Sequence, residues 1–163
     1  GHQLLEDDAV ETLKTRMIPL SHVLTPNKPE AELLAGIAIT DEQSLAQATK
    51  SLLDMGAGSV LIKGGHFEAD SDIMTDWLGT KADGKLELTP LRQPRVATPN
   101  NHGTGCTLSA AIASFLAQDN ALETAVAKAQ QYLNQCLTES YTPGKGFGPP
   151  NHMAALHRND PAA

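Results

Sequence analysis

Between Asn100 and Thr107 the chain reads Asn-Asn-His-Gly-Thr-Gly-Cys-Thr, and an apolar, alanine-rich segment from Leu108 to Leu116 follows directly. This feature restricts the local fold most. Two glycines around a threonine, then an unbroken helical run, predict a tight turn that opens a helix. Glycine permits the backbone path in which successive amides point at one spot. First-turn amides have no acceptor inside the helix, and the helix dipole adds partial positive charge there. A phosphate suits such a place. Cys106 stands at its mouth, where a thiol is able to serve as base or nucleophile. The spacing is neither the Walker A pattern nor GxGxxG, so a plain tight connection is the competing reading at this level.

The rest of the chain supplies an α/β setting for that turn. Leu5, Val10, Leu13 and Met17 approximate one helical face, with Asp7 and Asp8 near the start and Pro19 at the end. His22 to Thr25, closed by Pro26, reads as a short strand leading into a loop. Asn27 is placed to cap a helix that has Pro29 in its first turn and Glu30 three residues beyond the cap. Leu33, Leu34 and Ile37 continue that segment across Gly36. Thr40 or Asp41 caps the next helix, which carries Leu45, Ala48, Leu52 and Leu53 and stops near Gly56. Ser59 to Lys63 has no alternation and reads as a strand buried on both faces, ended by Gly64-Gly65. Ile73 to Leu88 reads as two short strands around Asp83-Gly84, a hairpin or an edge extension. Arg95 to Thr98 is expected to be the strand that enters the glycine turn. A last helix from about Leu122 to Leu137 carries a core stripe of Val126, Ala129, Leu133 and Leu137. A glycine- and proline-rich loop around Gly144 to Pro150 then leads to a short apolar segment at Met153 to Leu156.

Bulk properties narrow the partners. At 163 residues the chain has room for one domain with a core. The formal charge of −7 argues against a general nucleic-acid binder, although local amides and one lysine can still hold a phosphate. No apolar run is long enough for a membrane span, and no secretory signal is recognised, so no membrane partner is expected. Cys106 and Cys136 show no metal-ligand spacing, and a reducing cytoplasmic setting is the default. The six histidines, His2, His22, His66, His102, His152 and His157, are scattered without paired spacing.

Three loops after expected strands hold the chemistry-bearing residues: Thr25 to Glu30, Lys63 to His66, and Asn101 to Cys106. Ligands of open parallel sheets gather beyond the carboxyl ends of strands. Lys63 reads either as a solvated lysine closing its strand or as a point charge near a phosphate. Glu30 reads as a capping carboxylate, a role compatible with holding hydrated magnesium. A Cys/His hydrolase built on Cys106 and His102 is disfavoured, because no orienting acid or nucleophile elbow accompanies them.

Four stretches then occur in one order: Thr25-Pro-Asn-Lys-Pro-Glu-Ala-Glu32, Leu61-Ile-Lys-Gly-Gly-His66, Asn101-His-Gly-Thr-Gly-Cys-Thr-Leu-Ser-Ala-Ala111 and Gly144-Lys-Gly-Phe-Gly-Pro149. As a set they resemble hydroxymethylpyrimidine/phosphomethylpyrimidine kinase, the thiamin-pathway member of the ribokinase-like superfamily, over nearly the whole chain. The resemblance implies a three-layer α/β/α ribokinase-like (Rossmann-like) fold with a mostly parallel sheet. It implies that residues 1–163 are the C-terminal part of one kinase domain, lacking a substrate-binding half.

The implied activity is ATP-dependent phosphorylation of 4-amino-5-hydroxymethyl-2-methylpyrimidine and then of its monophosphate, with ATP and magnesium as cofactors and a homodimer as the full-length form. Carried over by position, Asn27 and Glu30 match an Asn-x-x-Glu motif tied to magnesium and phosphate placement. Lys63 matches a lysine near the transferring phosphates, and Asn101 and His102 fall in the nucleotide loop. Gly103, Thr104 and Gly105 match the anion hole. Cys106 matches the position where most of the superfamily has a catalytic aspartate. No alcohol-dependent activity is expected of this portion alone. The alternatives are a pyridoxine or pyridoxal kinase, whose relatives share the Gly-Thr-Gly-Cys turn, and a non-catalytic nucleotide-binding module.

Overall fold

The computed structural model describes residues 7–64 and 72–154. Expectations that fall on His2, Leu5, Gly65, His66, His157 and the segment after Ala154 lie outside the described residues. The chain divides into two compact units, Gly1–Gln93 and Pro94–Ala163.

In the first unit, α1 (Asp7–Thr12) runs on through a wider π-helical turn at Leu13–Met17 and a 3₁₀ turn at Ile18–Leu20. Pro19 sits in the first positions of that last turn, where its missing N–H costs nothing, and the helical run ends one residue later at Leu20, before the extended Ser21. The buried residues of this segment are Val10 and Ile18, whereas Met17, expected on the core face, is 58% exposed. The extra residue of a π turn rotates the following side chains off a 3.6-residue stripe.

Helix α2 (Lys28–Ala35) begins with a full capping box: Asn27 Oδ1 accepts the Glu30 amide at 2.9 Å, and Glu30 Oε2 accepts the Asn27 amide at 2.7 Å. It stops at Gly36, which adopts φ 68°, rather than continuing to Ile37. Helix α3 (Glu42–Asp54) is capped in the same way by Asp41 and Ser44. Between and beneath the two helices, Ala31, Leu34, Ile39, Leu45, Ala48 and Leu52 pack with Val60 and Ile62 of the sheet.

That sheet runs in the order β1 (Val60–Ile62), β2 (Ile73–Ala82) and β3 (Lys85–Pro94). All of β1 is buried, as its unalternating sequence predicts. It pairs antiparallel with β2, Leu61 opposite Leu78. The hairpin turn falls at Asp83-Gly84, both at positive φ. The hairpin is longer than its sequence suggested, because β3 continues past Pro90; as the last strand in the order it has a free side where a missing N–H is tolerated.

The α/β alternation is as expected, but the mostly parallel pairing is not what the described strands show. Parallel pairing is confined to two bridges on the far side of β1, Leu24 with Val60 and Asn27 with Lys63. Pro26 cannot donate to a ladder, which limits that segment to bridges.

The second unit packs α4 (Thr104–Leu116) against α5 (Leu122–Thr138). Leu108, Ala111 and Ile112 are buried on α4, and Ala125, Val126, Ala129, Leu133 and Cys136 on α5. Leu137, expected in the stripe, is only partly buried. Arg95 to Thr98 is irregular rather than a strand, because β3 absorbs the extended stretch up to Pro94. The tail is pinned to α5: Asn151 donates its backbone amide to Cys136 O at 2.8 Å and its side-chain amide to Glu139 O at 3.1 Å. Among the described residues no helix is long and apolar enough to cross a membrane.

Candidate functional site

The first unit assembles Asn27, Glu30 and Lys63. Backbone bonds run from Leu61 N to Leu24 O at 2.7 Å and from Lys63 N to Pro26 O at 3.0 Å, which sets Asn27 opposite Lys63. The capping box then holds the Glu30 carboxylate at the mouth of α2, with Lys63 Nζ 4.0 Å from Glu30 Oε2. Lys63 is not the freely solvated lysine of the simpler reading: its side chain is 21% exposed, against 55% for Glu30. The end of β1 is fixed further by Asp76, a buried carboxylate that accepts the Gly64 amide at 2.7 Å. Asp76 was not singled out in the sequence, since its partner lies on the neighbouring strand.

The second unit holds the glycine turn. Gly103 is the residue before α4 and adopts φ 86°, ψ 8°, a left-handed conformation that costs most residues about 1 kcal/mol. The turn is closed by a weak bond from Thr104 N to Asn101 O at 3.4 Å, and the first helical bond runs from Thr107 N to Gly103 O at 2.9 Å. No side chain caps α4, so the amides of its first turn are left without the acceptor that α2 and α3 provide for themselves. The start of α5 also lacks a side-chain cap, so an uncapped terminus alone is not diagnostic. What differs at α4 is the left-handed glycine, the thiol of Cys106 exposed on the first turn, and the groove beside them.

That groove has a volume of about 630 Å³, within the range of small-molecule sites. Cys106, Ala110 and Phe115 of α4 form one wall, with Tyr132 of α5 and Pro149 and His152 of the tail opposite. Thr107 donates its single hydroxyl hydrogen to Gly103 O at 2.9 Å, so the 2.9 Å contact with His152 is donated by Nε2–H of the imidazole. His152 thereby steadies the carbonyl that ends the turn. His102 and Asn101 are exposed, and the His102 amide donates to Gly148 O at 3.2 Å.

Cys136 contrasts with Cys106. It is buried, and desolvation pushes its thiol above the ordinary value of 9.0. Its packing role was legible from its mid-helix position. Thr107 and His152 were not picked out as site residues, and the only hint was the recurrence of polar residues beside glycines in the two segments.

In the first unit a lysine–carboxylate corner, and in the second a helix start without a side-chain cap beside a thiol and an apolar groove, are each features that phosphoryl chemistry can use. Comparison with known proteins identifies the family. The sequence model of the phosphomethylpyrimidine kinase family matches residues 1–151. The chain belongs to this family. Over 155 residues it is 44% identical to a hydroxymethylpyrimidine/phosphomethylpyrimidine kinase of Haemophilus influenzae, a match covering 94% of this chain and 56% of the relative. The chain thus spans about half the length of the curated relatives it matches.

Among solved structures, the ADP complex of Bacillus subtilis pyridoxal kinase superposes with a TM-score of 0.82 at 29% identity, covering 96% of this chain and 58% of that one. A phosphomethylpyrimidine kinase of Clostridium difficile superposes with a TM-score of 0.63 at 32% identity, over 82% and 50% of the two chains. The fold is therefore ribokinase-like α/β, as the motif set implied.

Proposed function

We propose that this chain supplies the nucleotide and phosphate side of an ATP-dependent phosphotransferase that acts on the hydroxymethyl group of a pyrimidine alcohol and then on its monophosphate. The observation that carries the reading is the turn at Gly103, whose left-handed glycine leaves first-turn amides open beside an exposed Cys106. The amides of Gly103 and Gly105 stabilise charge on the transferring phosphoryl group, joined by Thr104 when its weak bond to Asn101 O is exchanged for the phosphate. In the other unit, Lys63 is a point charge suited to a phosphate. The alcohol oxygen attacks the terminal phosphorus, the bond to ADP breaks, and Cys106 serves as the general base that takes the hydroxyl proton. Asn101 and His102 border the nucleotide, and the apolar wall of Ala110, Phe115 and Pro149 suits a heteroaromatic base.

Magnesium fits the donor chemistry at Glu30. Its carboxylate is half exposed, so waters can complete an octahedral shell, with Asn27 beside it in the same capping box. When bound, the ion neutralises phosphate charge; the capping box keeps Glu30 oriented independently of it.

A pyridoxal kinase is the second reading, favoured by the closer superposition on the pyridoxal kinase than on the phosphomethylpyrimidine kinase. The 44% identity to the Haemophilus protein weighs the other way. A coupled assay of ADP release, run with the pyrimidine alcohol, with pyridoxal and with neither, separates the cases. None of the residues assigned here binds the pyrimidine ring of the alcohol, so the chain by itself is expected to release no ADP in response to it. Alcohol-dependent release would contradict that division, and release stimulated by pyridoxal instead would favour the second reading.

A further inference from the structure

Asn100 is a buried polar residue, 4% exposed, at the entrance to the glycine turn. Its side-chain oxygen accepts the Gly148 amide at 3.0 Å and the Thr142 hydroxyl at 3.1 Å, and its side-chain nitrogen donates to Ser140 Oγ at 3.3 Å. Its backbone amide donates to Thr98 Oγ1 at 3.2 Å, and that oxygen lies 3.1 Å from Ser140 Oγ. One carboxamide thus gathers both ends of the exposed loop between Thr142 and Gly148. Gly148 is gripped twice, since its carbonyl also accepts the His102 amide at 3.2 Å. A side chain at Gly148 would collide with Asn100 Oδ1, so the close approach requires glycine there. A buried carboxamide whose oxygen accepts twice and whose nitrogen donates to Ser140 favours one geometry, because breaking a bond strands a buried polar atom.

We infer that Asn100 is the positioning residue of the anion turn: by clasping the 140–148 loop it fixes the backbone that runs through His102 into Gly103, and the turn amides keep their convergent arrangement only while the clasp is closed. This rests on the phosphate reading of that turn. Asn100 touches no phosphate itself. Asp at this position keeps acceptors for the Gly148 amide and the Thr142 hydroxyl, and the Ser140 hydroxyl can turn to donate, so the clasp survives with an added negative charge.

The test is amide NMR and hydrogen exchange on the chain as it stands, with Asn100→Ala and Asn100→Asp, followed by ADP titration. For Asn100→Ala, exchange at Gly148 and His102 is expected to accelerate about tenfold or more, the Gly103 to Cys106 signals to shift or broaden, and α5 to stay unchanged. Asn100→Asp is expected to restore the exchange rates and turn signals while binding ADP several-fold more weakly. Faster exchange at Gly148 with unmoved Gly103 to Cys106 signals overturns the inference, as does failure of Asp to restore them. Absence of ADP binding to the unsubstituted chain would refute the phosphate reading instead, leaving the clasp to be judged by the amide signals. If Asn100→Ala unfolds, shown by alkylation of Cys136, Thr142→Val takes its place under the same criteria.

Discussion

At Cys106 the side chain is exposed on the first turn of α4, whereas Cys136 is buried between α5 and its neighbours. The two thiols report on different things. An alkylating reagent is expected to label Cys106 in the native chain and Cys136 only on unfolding, with ADP slowing the first reaction; labelling of Cys136 at native rates would contradict the packing. If backbone amides rather than the thiol hold the phosphate, Cys106→Ser leaves ADP affinity within about twofold, while Cys106→Asp weakens it by about 1 kcal/mol, or fivefold, through charge at the helix terminus. Calorimetric titration of the two variants checks the pair. At this scale the sequence exposed the residues that lie within one motif. Asn100 is different: it sits beside the residues the motif highlights, but its partners are Ser140, Thr142 and Gly148. No local pattern announces a contact of that range.

Among the elements, the helix starts were the most legible. Asn27 with Glu30 and Asp41 with the following turn are reciprocal bonds closed over three residues, so sequence and structure agree there. Asn27→Ala is expected to cost about 1 kcal/mol of stability, measured by denaturant unfolding. The Asp41 carboxyl is held below its ordinary value of 3.8 by hydrogen bonds from the Ser44 amide and hydroxyl. The folded chain thus binds a proton there less readily than the unfolded one. Its contribution is present above that ordinary value and lost as pH falls through the lower folded value. Melting temperature followed from neutral pH into acid should therefore fall less steeply for Asp41→Asn, which keeps a capping oxygen without the titration; identical slopes would contradict the assignment.

Strand pairing was harder to read. The hairpin at Asp83-Gly84 is local and was found, but the partner of β1 depends on β2 reaching it from a distant turn, and Pro26 restricts the parallel side to bridges. The π turn at Leu13–Met17 leaves no mark in hydrophobic spacing.

For the whole chain, membership of the phosphomethylpyrimidine kinase family was carried by the order of four motifs rather than by any one of them. The motifs differ in local structure: a capped carboxylate and a strand-end lysine in the first unit, an uncapped helix start and a glycine loop in the second. Periodicity located their helices and turns; the bonds that tie the 140–148 loop to the helix start are tertiary and needed the structure. The central claim is that the amides from Gly103 to Cys106, of which only that of Thr104 is weakly held by Asn101 O, bind a nucleotide phosphate. Titration of the isotope-labelled chain with ADP, followed by amide chemical shifts, tests it most directly. The largest shifts are expected at Gly103, Thr104, Gly105 and Cys106, with smaller ones along the groove at Ala110 and Phe115. Saturable shifts that bypass these residues, or no shifts at all, would contradict it.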